Sequence, residues 1–358
     1  MTPVAPNILV IRRDNIGDLV CTTPLIRALR ACFPKARVSV LVNSYNRAVV
    51  ENNLDIDCVY AYTKVKHRPK NKSFFAVVWQ RLRLRRELRR RHFDYVIIAG
   101  ANFLPRVLRV ARAIRPQHII GFIEPDKSGA RYIDMPIPCA LAQQLHEVEY
   151  VFRLLAPLGI QGAPPAMQVF PDPDLVALVD AALTAKKFSV ERIIGVHISA
   201  RKTSNRWPAE KFIALIERLS AASRTAFILF WSPGPAENPL HPGDDEKAQK
   251  ILQALPRISI LAYPTDDLGQ LVAGLARCHS VICSDGGAMH IAAALGKPIL
   301  CFFGKSDKTR WYPWGTEHVL LQPPSLDAAD ISVDEAARGF EKLMERSPGA
   351  VASTQFRG

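Results

Sequence analysis

Short apolar runs alternate along this chain with longer stretches in which apolar residues recur every three or four positions. Such alternation predicts parallel strands joined by crossover helices. In the first half the pattern predicts strands at 8–12, 37–42, 57–61, 94–99 and 118–121. Helices are expected at 18–32, 44–51, 73–91, 104–114 and 141–157. The stretch 158–173, with four prolines and two glycines, interrupts the rhythm and reads as a linker. The alternation then restarts, with strands at 192–197, 226–231, 258–261, 280–283 and 298–302. Helices at 174–185, 208–222, 245–254, 266–276 and 288–295 separate them, and a last helix at about 332–346 is expected to pack back across the domains. The predicted architecture is α/β, with two Rossmann-like, doubly wound domains over 1–160 and 174–330 and a C-terminal helix and tail over 331–358. Folds of this kind bind ligands at the carboxyl ends of their strands, so two of them imply a cleft.

A chain of 358 residues fits two domains. Seven cysteines without paired spacing argue for a reducing compartment, and no His/Cys set has zinc-ligand spacing. No run of eighteen apolar residues and no signal peptide is present, so the expected location is cytoplasmic. The formal charge of +14 is concentrated: Lys64 to Arg91 holds twelve Lys or Arg and one acid, Glu87. Nucleic acid, an anionic membrane surface or a phosphorylated substrate could answer that charge, as could a solvated helix face. The stretch carries no nucleic-acid module and few aromatics, so no nucleic-acid partner is expected.

Neither G-x-G-x-x-G after the first strand nor a G-x-x-x-x-G-K-[ST] loop occurs, which removes the expected marks of a dehydrogenase and a P-loop ATPase. Three other segments carry chemistry. In Arg12-Arg13-Asp14-Asn15-Ile16-Gly17-Asp18 a strand turns through Gly17 into a helix. That places Asp18 at a helix N-terminus, as a cap, as a carboxylate open to ligand, or as both. In Ser284-Asp285-Gly286-Gly287-Ala288-Met289-His290 a strand again meets a helix through small residues, and the N–H groups of 286–288 suit a pyrophosphate. His290 reads either as a phosphate ligand or as a packed helical histidine. The third segment, His197 to Phe212, places Ser199, Arg201, Lys202 and Arg206 after a strand and opens a helix at Trp207-Pro208.

These segments resemble, in order and spacing, the bacterial heptosyltransferases, glycosyltransferase family nine. The resemblance rests on Gly17-Asp18 with Thr22-Thr23-Pro24, on Arg206-Trp207-Pro208, and on Ser284-Asp285-Gly286 with His290 and Leu295-Gly296-Lys297-Pro298. Phe303-Gly304, Ser306-Asp307 and Pro313-Trp314-Gly315 extend it, so that it covers about residues 7 to 320. It implies a GT-B type enzyme that inverts the anomeric centre without a metal ion and needs no cofactor beyond a nucleotide-sugar co-substrate. The implied donor is ADP-heptose, and the acceptor an anionic, lipid-linked saccharide of the lipopolysaccharide inner core. The implied place is the inner face of the cytoplasmic membrane, held peripherally, with 73–91 resting on anionic lipid.

By the same resemblance Asp18 is the general base. Ser199, Lys202, Arg206, Glu246, Asp285, Gly286, Gly287, Ala288 and His290 meet the donor. Arg12, Lys64, Lys66 and Arg68 meet the acceptor. Relatives usually carry a lysine two positions before the tryptophan, where this chain has Asn205, so Arg206 or Lys202 is expected to supply the charge. For the donor ribose Glu246 is favoured over Glu237. The alternatives are transfer of another sugar in surface polysaccharide assembly, and an inactive relative that binds membrane or nucleic acid.

Overall fold

The computed structural model describes residues 5–62, 74–124, 126–139, 144–188, 190–222, 224–238 and 242–348, with side chains of the helix at 74–90 described from Trp79 onward. The chain forms two compact units, Met1–Gln168 and Val169–Gly358. In the first, β1 (Asn7–Ile11), β2 (Arg37–Asn43), β3 (Cys58–Tyr62), β4 (Tyr95–Ile98), β5 (His118–Ile123) and β6 (Met135–Pro138) make one sheet in the order β3-β2-β1-β4-β5-β6. Every pairing is parallel. Its helices are α1 (Ile16–Val20), α2 (Thr23–Cys32), α3 (Phe74–Arg90), α4 (Pro105–Ile114) and α5 (Glu147–Phe152). The apolar runs of β1, β2 and β4 are buried nearly throughout, as central parallel strands covered on both faces must be.

The second unit repeats the topology. Its strands are β7 (Arg192–His197), β8 (Thr225–Trp231), β9 (Ile260–Pro264), β10 (Ser280–Ser284), β11 (Ile299–Phe302) and β12 (His318–Leu321), in the all-parallel order β12-β11-β10-β7-β8-β9. Around them lie α6 (Pro173–Ala185), α7 (Ala209–Ala222), α8 (Asp245–Ala254), α9 (Leu268–Ala276), α10 (Gly287–Ala294), α11 (Lys308–Trp311) and α12 (Val333–Arg346). Both units are doubly wound Rossmann-like folds of the GT-B class. Strand order reverses between β1 and β4 in one sheet and between β7 and β10 in the other, and these switch points are where such sheets hold ligands.

The structure differs locally from the sequence expectation at four places. The helix expected over 18–32 is two helices, because Pro24 brings no N–H to the Val20 carbonyl. The Thr23 hydroxyl donates to that carbonyl instead, at 2.7 Å. Residues 44–49 form a 3₁₀ helix rather than an α-helix. The helix expected from 141 to 157 starts at Glu147, capped by His146, and passes into a 3₁₀ turn around Pro157. The short edge strands β6 and β12 were not anticipated; β6 reads Met-Pro-Ile-Pro, and two missing N–H groups are tolerated only at an edge.

The last helix, expected to pack across the domains, buries Ala336, Ala337, Phe340 and Leu343 within the second unit, against α7, β11 and β12. The segment leading into it is fixed by Trp207, whose indole is buried against Phe302 and whose Nε1 donates to the Ile331 carbonyl at 3.0 Å. Lys211 donates to the same carbonyl and to that of Ala329. The Arg-Trp-Pro helix start is thus a core anchor of the second unit.

Candidate active site

The first unit places Asp18 just past the carboxyl end of β1. The N-cap of α1 is Asn15, so Asp18 is the third helical residue rather than the cap. Its Oδ2 accepts from the Asn15 backbone N–H at 2.9 Å and from Asn15 Nδ2 at 3.0 Å. Its Oδ1 accepts from Arg12 Nη2 at 2.8 Å. Burial pushes the Asp18 carboxyl up, but Arg12 and the Asn15 donors outweigh it and hold the group below the ordinary aspartate value. The carboxylate is therefore ionised at neutral pH, fixed by three donors, and still 15% exposed.

Arg12, expected against the acceptor, is enclosed instead, with 1% of its side chain exposed. The same Nη2 that meets Asp18 also donates to Glu147 Oε1 at 2.8 Å, and Nε lies 3.2 Å from Asp14 Oδ2. Glu147, the fully buried first residue of α5, had no signal in the sequence. Lys64, Lys66 and Arg68 lie outside the described residues.

A cavity of about 320 Å³ opens beside α3 and α4, with Leu41, Leu88 and Ile114 among its apolar lining and Arg13, Arg81, Arg85 and Arg109 around it. The Arg13 guanidinium lies 4.0 Å above the Tyr62 ring. Further along α3, Trp79 is 65% and Leu82 50% exposed, among exposed arginines at 81, 83, 85 and 86. The side chains of Phe74, Phe75 and Val78, at the start of this helix, lie outside the described residues.

In the second unit the turn before α10 and the loop after β7 meet in one polar cluster. Asn205, buried where a lysine was expected, donates through Nδ2 to Asp285 Oδ2 at 3.1 Å and to the Asp285 carbonyl at 3.2 Å. Its Oδ1 accepts from the Gly304 N–H at 2.9 Å. Ser306 Oγ donates to Asp285 Oδ2 and accepts from Lys202 Nζ at 3.0 Å. Lys202 is exposed, so its ammonium stands at the edge of the 285–288 turn. Arg206 Nε donates to the Ala200 carbonyl at 3.0 Å, which ties the guanidinium to its own loop.

Gly286, the N-cap of α10, is exposed, and a Cβ built there would meet nothing within 4 Å. The chain is therefore open on the Cβ side of Gly286, beside the helix N-terminus where N–H groups lack intrahelical partners. Ala288 is buried, and His290 is 2% exposed with its ring 5.9 Å from that of Trp311, which is the packed-histidine arrangement. Ser199 Oγ accepts from the Ser232 N–H at 2.9 Å and holds the ends of β7 and β8 together. Glu237 and Glu246 are both exposed after β8, whereas Asp245 is occupied by Trp231 Nε1 and the Gly234 N–H.

Lys247, which the sequence did not single out, donates to the Ile198 carbonyl at 2.8 Å and sits over the Phe212 ring, fixing the root of the same loop. Burial pulls its ammonium down to about 8, with Asp244 opposing and Arg206 adding to the shift. Among the described residues no group of three or more His, Cys, Asp or Glu could hold a metal ion, and no helix is long and apolar enough to cross a membrane.

Comparison with known proteins gives a consistent picture. Residues 81–330 match the family model described as glycosyltransferase family 9 (heptosyltransferase). Lipopolysaccharide heptosyltransferase 3 of Escherichia coli is 22% identical over 95% of this chain and 99% of its own length. Among solved structures, a glycosyl transferase family 9 protein from Veillonella parvula superposes with a TM-score of 0.79 at 19% identity, covering 96% of this chain and 98% of the other. The ADP-heptose lps heptosyltransferase II of E. coli superposes with a TM-score of 0.76 at 19% identity, covering 96% and 99%.

Proposed function

The chain belongs to glycosyltransferase family 9, the heptosyltransferases, and from that premise we propose that it moves a heptose from ADP-heptose to an inner-core sugar of lipopolysaccharide, with inversion and without a metal ion. The observation that carries the mechanism is the Asp18 carboxylate, ionised, aimed by Arg12 and Asn15, and partly open at the switch point of its sheet. Asp18 takes the proton of the acceptor hydroxyl while that oxygen attacks the anomeric carbon. The bond from that carbon to the diphosphate oxygen breaks, and ADP leaves with the electron pair. A depressed carboxylate is a weak base, so its contribution rests on position as much as on proton affinity.

The departing diphosphate needs positive charge where other enzymes use a metal ion. The N-terminus of α10 and the Lys202 ammonium are assigned to it, and Lys202 is preferred to Arg206 because it already reaches the Ser306–Asp285 pair. Glu246, at the start of α8, is the partner we assign to the donor ribose. The E. coli neighbour is an ADP-heptose heptosyltransferase, which supports the choice of donor.

An anionic, lipid-linked acceptor suits the arginines around the cavity of the first unit, together with the basic stretch from Lys64 to Arg91. Peripheral attachment to an anionic bilayer is supported by Trp79 and Leu82, exposed among the arginines of α3. The donor assignment is tested by the melting shift with ADP, UDP and GDP, followed by transfer from ADP-heptose to deep-rough lipopolysaccharide. The expected result is the largest shift with ADP, since ligand bound to the native state stabilises it by mass action. A larger shift with UDP or GDP would overturn the donor.

A further inference from the structure

We propose that Glu147 is a positioning residue for the transfer reaction: it anchors Arg12 so that Asp18 is aimed by one guanidinium nitrogen rather than gripped by two. The inference rests on the reading of Asp18 as the base. Arg12 Nη2 is shared, at 2.8 Å to Asp18 Oδ1 and 2.8 Å to Glu147 Oε1. A guanidinium and a carboxylate left to themselves prefer two parallel hydrogen bonds. Glu147 holds Arg12 out of that arrangement, and the second oxygen of Asp18 is met by Asn15 instead.

Burying a carboxylate as fully as Glu147 is unfavourable unless a charge answers it, which makes this placement an unusual choice for a residue that only fills space. The charged and titratable groups facing Arg12 are Asp14 and Asp18 from the turn and α1, and Glu147 from α5, where His146 and Glu149 form the cap. Three carboxylates thus divide one cation. Each lessens the pull of Arg12 on the others, and for Asp18 this preserves proton affinity that a full ion pair would remove.

The test is Glu147→Gln, which keeps shape and removes charge, read by steady-state transfer across pH. With Arg12 less neutralised, Asp18 becomes a weaker base. The expected outcome is a kcat lower by about tenfold, an acid limb displaced to lower pH, and an unchanged KM for the donor. Glu147→Asp, which restores the charge, should recover the wild-type acid limb with kcat between the two. The ADP melting shift reports folding in each variant; if Glu147→Gln does not fold, Glu147→Asp carries the test, a lowered kcat at unchanged KM supporting the role and a wild-type kcat overturning it. Asp18→Asn separates the two levels of the argument. Full turnover in Asp18→Asn would remove the base and this inference together. Loss of turnover there, with wild-type kcat and acid limb in Glu147→Gln, would remove the role of Glu147 alone.

Discussion

Asn205 Nδ2 lies 3.1 Å from Asp285 Oδ2, while Oδ1 of the same amide accepts the Gly304 N–H, so one buried side chain ties together the loops that follow β7, β10 and β11. The position where the resemblance leads one to expect a lysine is here a structural junction. Asn205→Ala should therefore destabilise the second unit by about 1–3 kcal/mol, the cost of leaving buried polar groups without their partner. Asn205→Lys should destabilise it at least as much, because a long charged side chain has no room beside Ser204 and Gly304. Chemical denaturation of the three proteins checks this, and a stable Asn205→Lys with improved donor KM would count against it.

The proposed role of Lys202 in meeting the donor phosphates can be tested directly. Lys202→Ala should raise the donor KM by about 10- to 100-fold, the usual worth of one charge-assisted hydrogen bond. Arg206→Ala, which loses a tie to the Ala200 carbonyl, should change donor KM less. Initial rates at varied donor concentration decide between them, and the reverse order would move the role to Arg206.

Asp18→Asn should lower kcat by about 10² to 10⁴ with ADP binding retained. Its effect on stability has a defined pH dependence. Because the native carboxyl is held below its ordinary value, its stabilising contribution is complete above the unfolded pKa and is lost as pH falls through the folded one. The difference in unfolding free energy between wild type and Asp18→Asn should accordingly shrink in acid. Denaturation at neutral and acid pH measures it; a gap that widened in acid would contradict the sign.

Binding to anionic vesicles should weaken with salt and be absent on neutral ones, since screening acts over about 8 Å at physiological ionic strength. Trp79 is the natural reporter, and its fluorescence should shift to the blue on binding. Arg83→Gln with Arg86→Gln should weaken binding by about 2 kcal/mol in total. Equal binding to neutral vesicles would remove the electrostatic basis of the attachment.

Much of the fold was legible because central parallel strands announce themselves as unbroken apolar runs, and β7 and α8 fall where the pattern put them. The edge strand β6 is broken by two prolines, and β12 has only the three apolar residues of Val319-Leu320-Leu321, all half-buried, which is too short a run to stand out. Within the site, Asp18 and the Ser284–Gly287 turn were visible because each combines a strand end, a glycine and a helix start in one short segment. Glu147 was invisible for the opposite reason. Its meaning lies in Arg12, 135 positions away in the chain, and nothing local to His146-Glu147-Val148 hints at that partner. The same distance hides the enclosure of Arg12, since a basic residue at a strand end shows its charge in the sequence but not its neighbours.

The strand order of the first unit also has a consequence for biosynthesis. β1 lies between β2 and β4, so the strand that carries the Asp18 turn on its end leaves the ribosome long before one of its two hydrogen-bonding neighbours. At about 5–20 residues per second, several seconds pass in which β1 has one side of its backbone unpaired. The highly basic stretch from Lys64 to Arg91 emerges in that interval. Like charges in that stretch repel the same stretch on another nascent chain while the edge of β1 is still open.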